Sequence, residues 1–296
     1  MPTIRNIFKI NGPVPFLDIE PHKDNGLFVD PCRIRLDTWA SPHRAAAVQQ
    51  MNTFLDLVAR KIMANDVSGA FDLLKHFGEP NETRLGMSKL EIMGRGGGLE
   101  VGWSITEALS DELRPLLEVA ILKYLENLPL FVAGVDRDIT SDITTRIAFN
   151  ALIDFTQAMM RRYPELGRQT RPDKYQIWDD QNLVWTTRTA ELPLVYGAPL
   201  LLVPKQWAGP SLLMSYQRFH QTTVRGWGQE VHTTYFPNGR SFRPTKEQIE
   251  QMPGYKLSRE TNLRITQHAY DNGVNLIQEF TDFVERRYEE PRSQAA

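Results

Sequence analysis

Three carboxylates crowd into one short segment of the chain. Asp136, Asp138 and Asp142 fall within seven residues of the sequence GVDRDITSD. If a helix begins here, Asp138 and Asp142 share one face, because four residues make about one turn. Like charges so close repel each other unless a cation lies between them, and oxygen ligands suit magnesium or manganese. The segment therefore predicts a Mg²⁺ or Mn²⁺ site at Asp136, Asp138 and Asp142.

The same residues have a purely structural interpretation. Asp138 could cap a helix, and acidic side chains favour the first turn because of the helix dipole. Arg146 lies four residues after Asp142 and could pair with it. The sequence leaves both interpretations open.

A glycine-rich stretch, ETRLGMSKLEIMGRGGGLEVGW, is the second candidate for chemistry. Glycines let backbone amides approach a ligand closely, and a helix start just after them would favour an anion. Basic side chains beside the loop could donate charge-assisted hydrogen bonds to phosphate. The predicted phosphate-binding residues are Gly94, Gly96, Gly97, Gly98, Arg84 and Arg95, and the predicted catalytic residues are Lys89, Glu82, Asp138 and Asp142.

The spacing of these glycines matches neither the dinucleotide-binding motif G-x-G-x-x-G nor the P-loop motif G-x-x-x-x-G-K-[ST]. A flexible surface loop is therefore the competing interpretation. A restriction-type nuclease core would need an acid two residues before Lys205, but Val203 stands there. The histidines lack the spacing of a zinc site, and Cys32 has no matched histidine motif.

Composition limits the classes of protein to consider. The 296 residues carry a formal net charge of -2, so no overall basic field attracts the protein to nucleic acid. Any contact with nucleic acid must come from a local patch. The single cysteine and the absence of a signal-like or membrane-spanning apolar run lead us to expect a cytoplasmic protein with no membrane partner.

Helices should position most of these residues. Apolar periodicity predicts a long helix from Pro42 to Asn65, then a shorter one over Ser68–Phe77. Ser104 and Glu107 fit a capping box and predict a helix from there to about Leu128, interrupted at Pro115. A further helix is expected from Asp138 to Tyr163.

The remaining chain changes character. Short apolar pieces, including FLDI and GLFVD, suggest strands or extended segments within 1–42. YQIW, LVWTT, LPLVY and PLLLV predict a small antiparallel sheet after the polar loop 164–175. Helices are expected near Ser211–Gln221, from a capping box at Thr245 and Gln248, and over Ser258–Arg287.

The expected fold class is α+β, predominantly helical, with a small antiparallel β-sheet in the second half. A mainly helical region, 1–164, would carry the glycine-rich loop and acidic helix start. A second region, 175–296, would hold the sheet and the C-terminal helices. The same pattern is compatible with one compact unit.

Five pieces of the chain together resemble a recurring pattern of uncharacterised bacterial proteins from mobile-element and phage-defence neighbourhoods. They are LFVDP (27–31), ETRLGMSK (82–89), GRGGG (94–98), DITSDITT (138–145) and LPLVYGAPLLLVPK (192–205). The resemblance covers about the first two thirds of the chain. It implies a bacterial defence context and carries over no activity or site residue.

These observations lead to three alternative functions. The first is a metal-dependent nuclease or nucleotide phosphohydrolase acting on nucleic acid or a nucleotide. The second is a non-catalytic sensor or interaction subunit with a protein partner in a defence complex. The third is a structural phage or plasmid component, which would bind no metal, nucleotide or nucleic acid.

Overall fold

The computed structural model describes residues 1–23, 25–38, 41–86 and 97–293. Helices make up most of the described chain. In order they are α1 (Ile4–Phe8), α2 (Pro31–Leu36), α3 (Pro42–Met63), α4 (Val67–Leu74), α5 (Gly97–Ser110), α6 (Arg114–Glu118), α7 (Leu128–Phe131), α8 (Arg137–Ile147), α9 (Phe149–Arg162), α10 (Tyr216–Phe219), α11 (Arg225–Val231), α12 (Lys246–Gln251), α13 (Arg259–Asp271) and α14 (Leu276–Ser293).

Strands in the described residues form three small antiparallel sheets. They are β1 (Phe28–Val29), β2 (Thr170–Asp179), β3 (Val184–Val195), β4 (Ala198–Pro199), β5 (Ala208–Gly209), β6 (Thr234–Tyr235) and β7 (Ser241–Phe242). β1 pairs with β5, β3 lies between β2 and β4, and β6 pairs with β7. The predicted α+β class, mainly helical with small antiparallel sheets mostly in the second half, is confirmed.

The long helix α3 forms where local signals agree. The Ser41 side chain accepts a hydrogen bond from the His43 amide, and Pro42 occupies the first turn, where its missing N–H costs nothing. Its apolar residues recur every three or four positions, so Phe54, Val58 and Ile62 are buried on one face. The prediction for this helix is confirmed.

An aromatic cluster joins α3 to the β2–β3 hairpin. Phe54 makes edge-to-face contacts with Trp178 and Trp185, which face each other across the two strands. The Trp178 indole also donates to the Thr53 hydroxyl at 3.1 Å. The main hydrophobic core thus draws residues from both sides of the segment 164–175. The prediction of a polar loop there is wrong, because the segment forms a 3₁₀ turn, Pro164–Arg168, and the start of β2.

Several predicted boundaries are wrong. The helix α5 starts at Gly97, so the capping box expected at Ser104 falls inside a helix. The expected Asp138–Tyr163 helix is divided at Ala148. The expected Ser258–Arg287 helix is divided at Gly273, whose φ of 80° is a left-handed conformation that ends a helix and favours glycine.

The predicted strands are also revised. LVWTT and LPLVY belong to one strand, β3, and most of PLLLV lies outside the strands. Its backbone amides bond elsewhere: Leu201 donates to the Glu82 carbonyl and Leu202 to the Thr156 hydroxyl. These tertiary partners replace a strand ladder, which is why β-propensity alone misassigned the segment. The capping box at Thr245 and Gln248 is confirmed as the start of α12.

Within the described ranges, no helix combines the length and apolar character needed to cross a membrane.

Candidate functional site

Helix α8 positions the predicted acidic cluster. Its N-terminal cap is Asp136, whose Oδ1 accepts from the amides of Asp138 and Ile139 at 3.0 and 3.1 Å. The expectation that Asp138 caps this helix is wrong, because the extended backbone needed at a cap occurs at Asp136. Asp136 therefore has a structural role at the start of α8.

Asp138 lies beside the beginning of the glycine-rich stretch. A Cβ built on Gly86 would come within 2.9 Å of the Asp138 Oδ1, and Gly86 has a left-handed φ of 101°. Glycine suits this position on both counts, since any side chain would be strained and would meet the carboxylate. The chain thus enters the stretch next to a predicted metal ligand.

Among the residues that the structure describes, no three His, Cys, Asp or Glu side chains are grouped in a way that could hold a metal ion. Asp136, Asp138 and Asp142 all belong to the described part, so by themselves they form no such group. The metal site at these residues, and the roles of Asp138 and Asp142 in catalysis, stay predictions.

Arg146 lies at the other end of α8. Its Nε donates to the Gly78 carbonyl at 2.6 Å and its Nη2 donates to the Glu79 carbonyl. Nη2 also lies 3.8 Å from the Glu82 Oε2, and the guanidinium stacks over the Phe149 ring. Arg146, expected to pair with Asp142, thus ties α8 to the segment 78–82.

Glu82 has an unusual environment. It belongs to a 3₁₀ turn, Asn81–Thr83, and its Oε2 is shielded from solvent and has no hydrogen-bond partner among the described residues. The Tyr175 hydroxyl is a second buried oxygen with no partner in the described part of the chain. Burial chiefly, with the charges of Asp173 and Glu82, raises the pKa of Tyr175 to about 12. Buried polar atoms without partners commonly mark the place of an ordered water, an ion or a ligand.

An open cleft of about 420 Å³ lies beside Arg146 and Gln176. Its lining includes Lys75 and His76 just after α4, Gly98 in the first turn of α5, Arg146 in α8 and Gln176 in β2. We call this space the α4–α5 cleft. It brings two cationic side chains to the first turn of a helix.

His76 lines this cleft next to Lys75. Burial chiefly, and then the nearby Lys75, lowers its pKa below the usual value. The Gln176 amide donates to Nδ1 at 3.0 Å, so the neutral ring carries its proton on Nε2. The ring packs against Trp185 at a centroid distance of 5.2 Å. His76 can therefore act as a neutral hydrogen-bond donor.

The glycines of α5 have a packing role. A Cβ at Gly98 would lie 3.1 Å from the Phe77 backbone, and one at Gly102 would lie 2.6 Å from the Leu74 carbonyl oxygen. Glycines at these positions let the backbone of α5 approach the end of α4. Gly98 is thus a helical, close-packed residue rather than part of a flexible loop.

The other predicted phosphate ligands divide into two groups. Arg84 donates from Nη1 to the Asn81 carbonyl at 2.7 Å and from Nη2 toward the Pro199 carbonyl. Gly97 is the first residue of α5. Lys89, Gly94, Arg95 and Gly96 lie outside the described residues, so their predicted roles stay predictions.

Lys75, His76 and Gln176 were missed by reasoning from the sequence. The sequence pattern predicts that Lys75 and His76 form the polar end of a short helix and that Gln176 lies on the exposed side of a strand. The pair His76 and Gln176 is separated by 100 positions, so no local spacing could reveal it.

Comparison with known proteins defines the class of this chain. Residues 8–214 match a family described as a domain of unknown function (DUF8370), and the chain belongs to that family. No curated protein and no solved structure matches the chain. The matched range contains the acidic cluster, the glycine-rich stretch and the α4–α5 cleft, whereas the chain from residue 215 onward lies beyond it.

Proposed function

We propose that this chain binds the phosphate groups of a nucleotide or nucleic acid in the α4–α5 cleft and hydrolyses a phosphoester with Mg²⁺ or Mn²⁺. One observation carries the proposal. Helix α8 holds Asp138 near its start and Arg146 at its end, and the described residues on either side of the glycine-rich segment lie near one or the other. Gly86 lies against Asp138, and Gly98 lines the cleft with Arg146.

The cationic part of the cleft suits a phosphate group. Lys75 and Arg146 supply positive charge, and the first turn of the 14-residue helix α5 adds backbone amides and the positive end of its dipole. Nε and Nη2 of Arg146 are engaged with backbone carbonyls. We assign the phosphate contact to its third nitrogen, Nη1, which carries two N–H donors and a share of the guanidinium charge.

The acidic part supplies the proposed metal ligands. Asp142 precedes Arg146 by four residues, or about 6 Å along the helix axis, so a metal and a phosphate oxygen can be neighbours. The Glu82 Oε2 lies 3.8 Å from Nη2 of Arg146, beside the proposed phosphate contact. A metal held here would activate water and offset the charge that develops on the phosphate.

Binding is the first step to test. Equilibrium titration with ADP and with a short single-stranded oligonucleotide should give an affinity that falls about tenfold in Lys75→Gln, because a charge-assisted contact is lost. Arg162→Gln is the matched control, since Arg162 is exposed and does not line the cleft. Equal affinities for wild type, Lys75→Gln and Arg162→Gln would overturn the site.

Turnover is the second step. With Mg²⁺ or Mn²⁺, the wild type should release phosphate or cleave the oligonucleotide, and Asp138→Asn with Asp142→Asn should abolish this while preserving metal-free binding. Binding without turnover in the wild type would refute the hydrolase and leave the sensor or interaction subunit of a defence complex. Absence of both activities would favour the structural alternative.

A further inference from the structure

Three arginines converge on a second pocket, which shares no lining residue with the α4–α5 cleft. Arg33 from α2, Arg218 from α10 and Arg287 from α14 line an open cavity of about 320 Å³. Leu213 and Val284 form an apolar part of its wall. We call this cavity the arginine pocket. Arg218 and Arg287 lie beyond the family match, so the pocket joins the matched domain to the C-terminal helices.

The guanidinium groups in this pocket repel one another. Arg218 and Arg287 each place the guanidinium carbon 5.5 Å from the centre of the same ring, Phe283. Burial chiefly, then the charges of Arg287 and Arg33, lowers the pKa of Arg218. The arrangement therefore has an electrostatic cost that an anion bound between the guanidinium groups would relieve.

One carboxylate lies close to these cations. Asp30 is buried beneath Arg33, with its Oδ2 at 3.5 Å from the Arg33 Nε. The same oxygen accepts from the Leu213 amide at 2.7 Å. The Asp30 carboxylate offsets the charge of Arg33, whereas Arg218 and Arg287 contribute further positive charge, which suits a phosphate.

The position of Arg33 is set by close packing. A Cβ on Gly209 would lie 2.8 Å from Nη2 of Arg33 and 2.9 Å from its Cζ. The guanidinium therefore lies directly against a bare backbone, while the Arg33 Nε is shielded from solvent and has no hydrogen bond to the residues that the structure describes. This packing holds the side chain in place before any ligand arrives, which lowers the entropic cost of binding.

We propose that the arginine pocket binds the phosphate group of a small organic phosphate. The cavity falls at the lower end of the size range of small-molecule sites, about 300–1,000 Å³. A neighbouring cavity of about 570 Å³ shares Gln206 with the pocket and is lined in part by Val14 and Pro15. The phosphate would lie among the arginines, and the organic part of the ligand would extend into this second cavity.

Calorimetric titration of the full chain with inorganic pyrophosphate and ADP tests the proposal. Arg287→Gln should weaken the binding of both probes at this site about tenfold or more. Arg286→Gln is the matched control, because Arg286 is the neighbouring arginine on α14, does not line the pocket and donates to the Asp282 carbonyl of its own helix. A 5′-phosphorylated oligonucleotide, used as a third probe, separates a nucleic-acid end from a free nucleotide as the source of the phosphate.

A second variant keeps every charge. Gly209→Ala should push the Arg33 guanidinium aside and weaken pyrophosphate binding while the unfolding midpoint stays close to that of the wild type. A purely structural role for the arginines would leave this affinity unchanged. Identical losses in Arg287→Gln and Arg286→Gln, or no pyrophosphate binding in the wild type, would overturn the pocket.

The two proposed sites can fail separately. Lys75→Gln should leave binding in the arginine pocket unchanged, and Arg287→Gln should leave binding in the α4–α5 cleft unchanged. Loss of all pyrophosphate binding in Lys75→Gln alone would refute the arginine pocket and support the cleft.

Discussion

Asp30 should make the stability of this protein depend on pH in a direction unusual for an aspartate. Its side chain is 1% exposed and caps α2, with Oδ1 accepting from the Cys32 amide at 2.9 Å. Burial raises its pKa from the ordinary 3.8 to about 6, although the Leu213 amide and Arg33 act in the opposite direction. The folded protein therefore takes up a proton at a pH where the unfolded chain stays ionised.

The size and sign of the effect follow from proton linkage. A difference of about 2 in pKa corresponds to about 3 kcal/mol in the free energy of unfolding. Because the folded pKa is the higher one, this stabilisation is complete below the unfolded pKa. It is lost as pH rises through about 6. Asp30→Asn carries no ionisable group and should lack this contribution.

Urea unfolding of the wild type and Asp30→Asn across a pH series measures the effect. The stability of the variant relative to the wild type should rise by about 2 kcal/mol from about pH 4 to about pH 8. Burial also lowers the pKa of the half-buried His76, and the difference between the two proteins removes such shared contributions and isolates Asp30. The absolute stability of the variant does not enter this comparison.

Asp179→Asn is the control for this experiment. Hydrogen bonds from Asn182 lower the pKa of Asp179, so its contribution changes only at more acidic pH. The difference between wild type and Asp179→Asn should therefore be flat above about pH 5. If the difference in stability between wild type and Asp30→Asn is also independent of pH, burial does not raise the free energy of ionising the Asp30 carboxylate and the argument is refuted.

Three further expectations concern packing, buried charge and metal binding. Gly102→Ala should lower the free energy of unfolding in urea by about 1–3 kcal/mol because its Cβ would meet the Leu74 carbonyl oxygen. Gly226→Ala, where a Cβ meets no atom within 4 Å, should raise it by up to about 1 kcal/mol. Arg35→Met should cost about 3–5 kcal/mol in the same assay, because it removes the 2.6 Å ion pair of the buried Glu126; adding Glu126→Met should recover most of the loss. Mg²⁺ or Mn²⁺ should raise the thermal unfolding midpoint of the wild type but not of Asp138→Ala with Asp142→Ala, and an equal rise in both proteins would exclude these ligands.

Local signals predicted the parts of the fold that local energies control. The cap at Ser41, the proline after it and the regular apolar stripe specify α3 without reference to any other element. The reciprocal bonds of Thr245 and Gln248 do the same for α12. The boundary at Gly273 could also have been predicted locally. The sequence Asp271-Asn272-Gly273 is typical of a helix end, but the predicted Ser258–Arg287 helix was continued through it.

Other predictions failed because tertiary partners outweighed local preference. PLLLV has the composition of a strand, but its amides find the Glu82 carbonyl and the Thr156 hydroxyl. Ser104 and Glu107 have the spacing of a cap, but α5 extends past them toward Gly97 because glycines at 98 and 102 let the helix pack on the end of α4. Residue spacing contains no information about that approach.

The sequence by itself determined that this chain is a mainly helical α+β protein and that a helix begins in the acidic segment, near Asp138. It also marked the glycine-rich stretch, because glycine and charge patterns are local properties. Only the tertiary structure decided which side chains meet. His76 contacts Gln176 across 100 positions, and Arg33, Arg218 and Arg287 line one pocket from three helices. Burial and neighbouring charge arise from that packing, so they could not be deduced from spacing along the chain.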